Sequence, residues 1–182
     1  VVGTGSSGIQ AIPVLAEEAE HVTVFQRTPN YSIPSQNGPM HREYEASWKE
    51  RYGDLREEMR YTGHGSIKDL NDKPAMSVDD DERQETYKER WKIGGAGFLT
   101  SFNDLLFSQE SNDTASEFVR QQIRQIVKDP ETAEILAPKT YPIGTKRICI
   151  DSGYFETYNR DNVDLVDISE TSIKRITPTG LI

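Results

Sequence analysis

The chain has 182 residues, 28% of them charged, and a formal net charge of −9. This length suits one domain, or one domain with an insertion, and the composition is typical of a globular protein with a modest core. The acidic balance argues against a nucleic-acid partner, because phosphate backbones are bound by clustered Lys and Arg. No apolar run is long enough to span a bilayer, so we expect no membrane partner.

Cysteine, histidine and the chain ends give three further expectations. Cys149 is the one cysteine, which excludes an internal disulfide and favours a reducing, cytoplasmic location. His21, His41 and His64 lack metal-ligand spacing, so we expect no metal site. The chain begins VVGTG and ends TGLI, each within an expected strand. We therefore interpret it as part of a longer protein.

The N-terminal segment has the pattern of a dinucleotide-binding unit. Gly3, Gly5 and Gly8 in VVGTGSSGIQ have the G-x-G-x-x-G spacing. Two valines precede them, an amphipathic helical pattern follows, and a strand over 21–25 comes next. This order predicts a βαβ unit with a dinucleotide at its glycine turn. A glycine turn without a ligand is the alternative.

Each residue of this turn has an expected role. The first glycine permits the tight turn, the second lets the backbone approach a pyrophosphate, and the third permits close packing of helix on strand. The N-terminus of the helix offers unpaired N–H groups and its positive dipole end to phosphates. Ser6, Ser7 and Gln10 are placed to add hydrogen bonds there.

Arg27 stands at the end of the second predicted strand, in HVTVFQRTPN. NAD-binding units usually have Asp or Glu here, about 20 residues after the glycines, to bind the ribose hydroxyls. An arginine instead attracts a 2′-phosphate, which its planar guanidinium binds with two hydrogen bonds, and Thr28 adds a hydroxyl donor. This position therefore favours NADP(H). A solvated surface arginine is the alternative.

The middle of the chain lacks a convincing strand. Apolar and aromatic stripes at helical spacing run over 44–59 and 115–126, and we interpret them as packing faces. We predict a helical insertion over 36–138. It would interrupt an α/β, Rossmann-like domain with a parallel sheet, formed by 1–35 and 139–182.

Strand character resumes in PIGTKRICID, over 147–150, and again over 162–168. Lys146 and Arg147 lie at the start of the first of these strands. Because successive side chains of a strand point to opposite sides, the two cations can serve different partners. Lys146 would join Arg27 on a 2′-phosphate, and Arg147 would point towards a reacting centre. Ordinary surface charges are the alternative.

GTGSSGIQAIPVLAEEAEHVTVFQRTPNYSIP and PIGTKRICIDSGYFETYNRDNVDLVDI together resemble the type I Baeyer–Villiger monooxygenases. The likeness is strongest to the branch that acts on phenylacetone, cyclic ketones and steroids, and it extends over essentially the whole chain. FQRTPNYSIP and GTKR…GYFETYNRDNV are its specific parts, whereas the glycine pattern alone is common to many nucleotide-binding proteins.

This resemblance implies an enzyme that binds FAD in one Rossmann-like domain and NADPH in a second domain, inserted into the first. The chain would be the second domain with the start of the return to the FAD domain of the same parent chain. In the family, NADPH reduces the flavin, O₂ gives a flavin peroxide, and a ketone becomes an ester or lactone. Alone, the chain would neither hold FAD nor turn over.

The resemblance also implies roles for individual residues. The glycine turn and first helical turn would cradle the NADPH pyrophosphate through Gly3, Thr4, Gly5, Ser6, Ser7, Gly8 and Gln10. Arg27, Thr28 and Lys146 would hold the 2′-phosphate. Arg147 matches the active-site arginine beside the flavin, where a fixed guanidinium stabilises developing negative charge. Asp151 is expected to orient Arg147.

Two other functions stay open from the sequence. One is the NADPH domain of another two-domain flavin monooxygenase, which oxygenates nitrogen or sulfur. The other is a non-enzymatic domain that binds NADPH as a sensor ligand and needs no flavin neighbour. The sequence on both sides of this chain would separate them, because each class has a different flavin-domain signature.

Overall fold

A computed structural model describes residues 1–62, 65–67, 70–178 and 180–182. Its regular elements are, in chain order, α1 (Ser6–Glu18), β1 (Val22–Gln26), β2 (Ser32–Pro34), α2 (Arg42–Glu50), α3 (Tyr52–Met59), α4 (Asp80–Ile93), α5 (Gln109–Ile126), α6 (Pro130–Leu136), β3 (Cys149–Asp151), α7 (Tyr154–Thr157), β4 (Val163–Asp167), β5 (Ile176–Thr177) and β6 (Gly180–Leu181). The chain is therefore an α/β protein. Over these ranges, no helix is both long and apolar enough to cross a membrane.

Strand β1 lies in the middle of a small parallel sheet. It pairs in parallel with β4 along its whole length, from Val22 opposite Val163 to Gln26 opposite Asp167. On its other side, Val2 forms a parallel bridge with Phe25. A parallel pair requires a long crossover connection, and here that connection contains α2 to α7. The predicted strands over 21–25 and 162–168 are confirmed, with these bounds.

Helix α1 lies between the N-terminal segment and β1. Ile9, Ile12 and Ala16 are fully buried, so one face of the helix enters the core at the spacing that its sequence predicts. This face packs against β1, β3 and α7. In the first turn of α1, Ser6 lies beside Cys149, the first residue of β3.

A second parallel pair joins β2 to β3, with Ser32 opposite Cys149 and Pro34 opposite Asp151. The strand predicted over 147–150 therefore begins later, at Cys149. The Tyr31 carbonyl accepts from the Cys149 N–H at 3.1 Å, which is the contact at the start of this pair.

The region over 36–138 contains helices and, within its described residues, no strand. Its interior is an aromatic cluster in which the Tyr87 ring lies 5.5 Å from Phe102 and 5.4 Å from Phe118. The stripe over 115–126 is confirmed as a packing face, because its apolar residues are buried or half-buried. Buried side chains of this region and of α1 and β1 form one contiguous core.

The stripe over 44–59 is not a continuous packing face. The chain leaves the helical conformation at Arg51, which separates α2 from α3. Leu55 is buried, but Tyr44 and Tyr52 are 55% and 62% exposed. The interpretation of this stripe as one packing face is therefore wrong. Helix α2 has no buried residue, and the break at Arg51 separates it from Leu55, while Tyr52 is exposed although it lies on the same helix as Leu55.

Candidate functional site

The three glycines of the N-terminal turn have different surroundings. Gly3 has a φ of +93°, a conformation that L residues rarely adopt, and its N–H donates to the Phe25 carbonyl at 2.9 Å. A Cβ on Gly8 would lie 2.5 Å from the Gly3 carbonyl oxygen. A Cβ on Gly5 would meet no atom within 4 Å. The fold itself therefore requires Gly3 and Gly8, whereas the space beside Gly5 is open to a ligand.

Gly8→Ala is expected to destabilise the protein by about 1–3 kcal/mol, because its methyl group would force apart the backbone of the turn and of α1. Urea denaturation would measure this loss. Gly53→Ala in α3 is the matched control, since a Cβ there meets nothing within 4 Å. That control is expected to stabilise by about 0.4–1 kcal/mol. Equal changes in the free energy of unfolding for the two variants would contradict the close contact between Gly8 and the Gly3 carbonyl.

The N-terminus of α1 has no side-chain cap and no acidic residue in its first turn. In contrast, α4, α5 and α6 have the N-cap residues Asp79, Ser108 and Asp129, and each of these side chains accepts a backbone N–H of its own helix. Helices α2, α3 and α7 also lack a side-chain cap, but each has an acidic residue in its first turn. The first N–H groups of α1 are therefore available to an anion, and the positive end of the helix dipole favours one.

The polar side chains around this turn contact the protein itself. Ser6 Oγ lies 3.3 Å from Cys149 Sγ, and Gln10 donates to the Ile150 carbonyl at 3.4 Å. The buried Thr4 hydroxyl lies 3.2 Å from Gln26 Oε1 and 3.3 Å from the Thr28 carbonyl. Ser6 and Gln10 thus link α1 to β3, while Thr4 links the glycine turn to the end of β1.

A cavity of about 350 Å³ opens at the glycine turn, and we call it the cationic groove. It is lined by Val2, Gly3, Thr4, Gly5, Phe25, Arg27, Thr28, Asn30, Lys146 and Ile168. Arg27 and Lys146 are both exposed, and none of the residues that line the groove is acidic. Two cations and no acidic lining residue, in a chain of net charge −9, give this groove a positive local charge that suits an anion. Arg27 also lines a neighbouring pocket that contains Glu134 and Asp167.

The groove contains six of the residues predicted as binding residues: Gly3, Thr4, Gly5, Arg27, Thr28 and Lys146. Ser6, Ser7, Gly8 and Gln10 lie on α1 just outside its lining. Sequence reasoning missed Asn30 and Ile168. Ile168 follows β4, and the carboxyl ends of neighbouring parallel strands meet at one sheet edge, so its position was a usable signal. Asn30 follows a proline in a turn and had only a weak signal.

Arg147 lines a second cavity of about 460 Å³, which Lys146 also borders. Apolar residues make up much of its wall, including Leu99, Phe102 and Leu105. Lys146 and Arg147 lie in the loop before β3, not in the strand. Lys146 therefore lines both cavities, whereas Arg147 is absent from the lining of the cationic groove.

Asp151 does not orient Arg147, so that expectation is wrong. Its buried carboxylate accepts hydrogen bonds from the Ser32 hydroxyl and, at 3.0 Å, from the Tyr154 N–H at the start of α7. Burial raises the pKa of Asp151, and these hydrogen bonds oppose the shift. The carboxylate therefore links β3 to β2 and stabilises the N-terminus of α7.

Within the described residues, no group of three or more His, Cys, Asp and Glu side chains is arranged to hold a metal ion. His21 lies 3.1 Å from Asp164 in an exposed pair. His41 precedes α2 on the surface, and His64 lies outside the described residues.

Three relatives match the whole chain in sequence. It is 43% identical over 182 residues to a 2-oxo-Delta(3)-4,5,5-trimethylcyclopentenylacetyl-CoA monooxygenase of Pseudomonas putida, and it covers 33% of that protein. It is 37% identical to a phenazine N-monooxygenase of Lysobacter antibioticus, with 34% of that protein covered. It is 36% identical to a Baeyer–Villiger monooxygenase of Pseudooceanicola batsensis, with 33% covered.

Solved structures agree with these matches. The chain superposes over its full length on a steroid monooxygenase bound to NADP, with a TM-score of 0.94, 48% identity and 35% of that chain covered. This chain is homologous to a segment of the Baeyer–Villiger monooxygenases. A complex of OTEMO with FAD and NADP has a TM-score of 0.95 and 42% identity, with 34% of its chain covered.

The similarity to the Baeyer–Villiger monooxygenases has a defined extent. The chain spans about a third of the length of the curated relatives that it matches, 33% of the first and 34% of the second. No family model matches it. The relatives thus match this chain over all of its own residues, and the rest of each relative is about twice as long as this chain.

Proposed function

We propose that this chain is the NADPH-binding part of a flavin-dependent Baeyer–Villiger monooxygenase. One observation carries the proposal: Arg27 and Lys146 share an acid-free groove with the glycine turn and lie beside an uncapped helix N-terminus. An uncapped N-terminus suits a pyrophosphate, and two cations suit an additional phosphate group. The similarity to structures of relatives bound to NADP supports the same ligand.

The arrangement of the strands supports a Rossmann-like assignment for the part formed by 1–35 and 139–182. The bridge at Val2, then β1, then β4 place the first three parallel segments side by side in the order expected of that fold. The helical region over 36–138 falls between the second and third of these segments. We therefore propose it as an insertion in the crossover connection.

Each side of the groove would contact a different part of NADPH. The backbone at Gly3, Thr4 and Gly5 and the first N–H groups of α1, at Ser6, Ser7 and Gly8, would bind the pyrophosphate, with Gln10 nearby on α1. Arg27, Thr28 and Lys146 would bind the 2′-phosphate. The open space at Gly5 fits this role, because no protein atom lies within 4 Å of its Cβ position.

The activity of the full-length protein is part of the proposal. When bound, NADPH would supply a hydride for the FAD held by the FAD domain of the same parent chain. The substrates would then be a ketone and O₂, and the product an ester or lactone. Arg147 would act in the second cavity, where a guanidinium stabilises negative charge that develops on a reacting oxygen.

A second candidate function is N-oxygenation. The phenazine N-monooxygenase of Lysobacter antibioticus matches the whole chain at 37% identity, close to the value for the Baeyer–Villiger monooxygenase. The nucleotide role of the cationic groove would be the same for both reactions. Product analysis with a ketone and with an aromatic N-heterocycle would therefore distinguish the two functions.

Gly5→Asp tests the nucleotide site, because stability and binding should respond differently. Gly5 is the N-cap of α1 in an extended conformation, and aspartate is a favoured N-cap residue, so we expect no loss of thermal stability. NADPH binding is expected to weaken about 100-fold or more, because like charges placed together at a binding site are strongly unfavourable. Calorimetric titration and thermal unfolding would measure the two effects.

Gly5→Ser is the matched variant, since it adds a cap without a charge. It is expected to bind NADPH more strongly than the aspartate variant and to have similar stability. NADPH binding that is unchanged in Gly5→Asp would remove the glycine turn from the nucleotide site, and the proposed function would fail with it.

A further inference from the structure

The cationic groove is built from three segments that are distant in sequence. The glycine turn contributes Thr4, the loop after β1 contributes Arg27 and Thr28, and the loop before β3 contributes Lys146. Neither cation has a carboxylate partner among the described residues. Ion pairs with carboxylates therefore do not position these two side chains. Tyr141 contacts the loop after β1 and Lys146 directly, and Asn30 links it to the glycine turn.

The hydroxyl of Tyr141 anchors the loop after β1. It lies 2.7 Å from the Pro29 carbonyl and 3.0 Å from Asn30 Oδ1, as the donor to this pair of acceptors. The Asn30 amide in turn donates to the Thr4 carbonyl at 2.6 Å. Burial raises the pKa of Tyr141 to about 12, so the phenol stays a neutral donor at physiological pH.

The ring of Tyr141 holds Lys146. The ammonium nitrogen lies 4.3 Å from the ring centroid, within the range of a cation–π interaction. Tyr31 packs edge-on against the same ring at 5.6 Å, with an interplanar angle of 83°. The Tyr31 hydroxyl is itself bonded to the Pro138 carbonyl and to Arg120, each at 3.2 Å. The ring is therefore fixed from the protein side and presents its face to the lysine.

We infer that Tyr141 is a positioning residue for 2′-phosphate recognition, which places Lys146 and the segment from Arg27 to Asn30 on one groove. This inference rests on the proposed NADPH function and adds to it a residue that lies outside the lining of the groove. A lysine loses much side-chain freedom when it binds a ligand. If Tyr141 already restricts the Lys146 side chain before the ligand binds, less conformational entropy is lost on binding, and the affinity for the phosphate is higher.

A merely structural role of Tyr141 predicts a different result. Loss of core packing would lower the affinity for NADPH and NADH by the same factor. A positioning role acts on the cations that meet the 2′-phosphate, which only NADPH carries. The diagnostic quantity is therefore the ratio of the NADH and NADPH dissociation constants, measured on the full-length protein.

Tyr141→Leu removes ring and hydroxyl, and Tyr141→Phe removes only the hydroxyl. We expect the leucine variant to lower the NADPH preference about two- to fivefold through the lost cation–π contact. The phenylalanine variant is expected to lower it less. Lys146→Ala should lower the NADPH preference by a smaller factor in the Tyr141→Leu variant than in the wild type, because the two residues act together. Tyr44→Leu, at an exposed tyrosine of α2, is the matched control.

An NADPH preference that stays at the wild-type value in Tyr141→Leu overturns the inference. If the leucine variant does not fold, the same result in Tyr141→Phe overturns it. Full additivity of Tyr141→Leu and Lys146→Ala also overturns it. A wild-type protein that binds neither nucleotide would instead contradict the proposed function, so the two failures are distinguishable.

Discussion

Replacement of Arg27 by alanine is expected to weaken NADPH binding by about 10- to 150-fold, the range for loss of a hydrogen-bonded charge. NADH binding should change by less than about twofold, because NADH has no 2′-phosphate for a guanidinium to bind. Arg27 is exposed and lies in an acid-free groove, so its removal leaves no buried charge unpaired. Thermal stability is therefore expected to stay close to that of the wild type.

Titration of both nucleotides into the full-length protein would measure this effect. Arg56→Ala is the matched control, since Arg56 is an exposed arginine of α3 and the change in net charge is the same. Arg27→Lys should give an intermediate preference, because a lysine keeps the charge but lacks the planar fork. Equal weakening of NADPH and NADH by Arg27→Ala would contradict the assignment of the 2′-phosphate to this residue.

Arg147→Ala is expected to retain NADPH binding and to lose oxygenation. Arg147 lines the second cavity and not the cationic groove, so nucleotide affinity should change little. Loss of one group that stabilises a developing oxyanion typically lowers turnover by about 100- to 1,000-fold. Product formation from a ketone, assayed together with NADPH binding on the full-length protein, would measure the two effects separately.

Arg147→Lys is the informative companion variant. It keeps a positive charge in the second cavity without the planar fork, and we expect only partial recovery of product formation. Ester formation at the wild-type rate in Arg147→Ala would remove Arg147 from the chemistry. Loss of NADPH binding in the same variant would indicate that the two cavities form a single nucleotide site.

The two arginines thus have opposite expected signatures. A change at Arg27 should alter nucleotide choice, whereas a change at Arg147 should alter oxygenation at saturating nucleotide. Lys146 borders both cavities, and a substitution there is expected to affect nucleotide preference first, because its ammonium group contacts the Tyr141 ring, whose hydroxyl contacts the loop after β1.

Several features of this protein follow from the sequence alone. The glycine spacing predicted a tight turn at Gly3 and close packing at Gly8; Gly3 has a positive φ, and Gly8 lies against the Gly3 carbonyl. Apolar periodicity predicted α1, the C-terminal part of α5, and β1 and β4 to within about one residue of their observed bounds. These signals are local: a tight turn, a helical face and a short buried strand each depend on residues a few positions apart. The prediction for Arg27 is local as well, because it depends only on a charged residue at the end of a strand.

Tertiary structure decided which of these residues meet. Lys146 reaches the groove of Arg27 because β2 pairs with β3 and β1 pairs with β4, and no spacing in the sequence encodes those two pairings. The same pairings assign Asp151 to Ser32 and Tyr154 instead of Arg147. The sequence by itself determined the glycine turn and the cation at the end of β1. The pairing of distant strands determined that Lys146 and Tyr141 lie beside them, because contacts between distant segments depend on the whole folded chain.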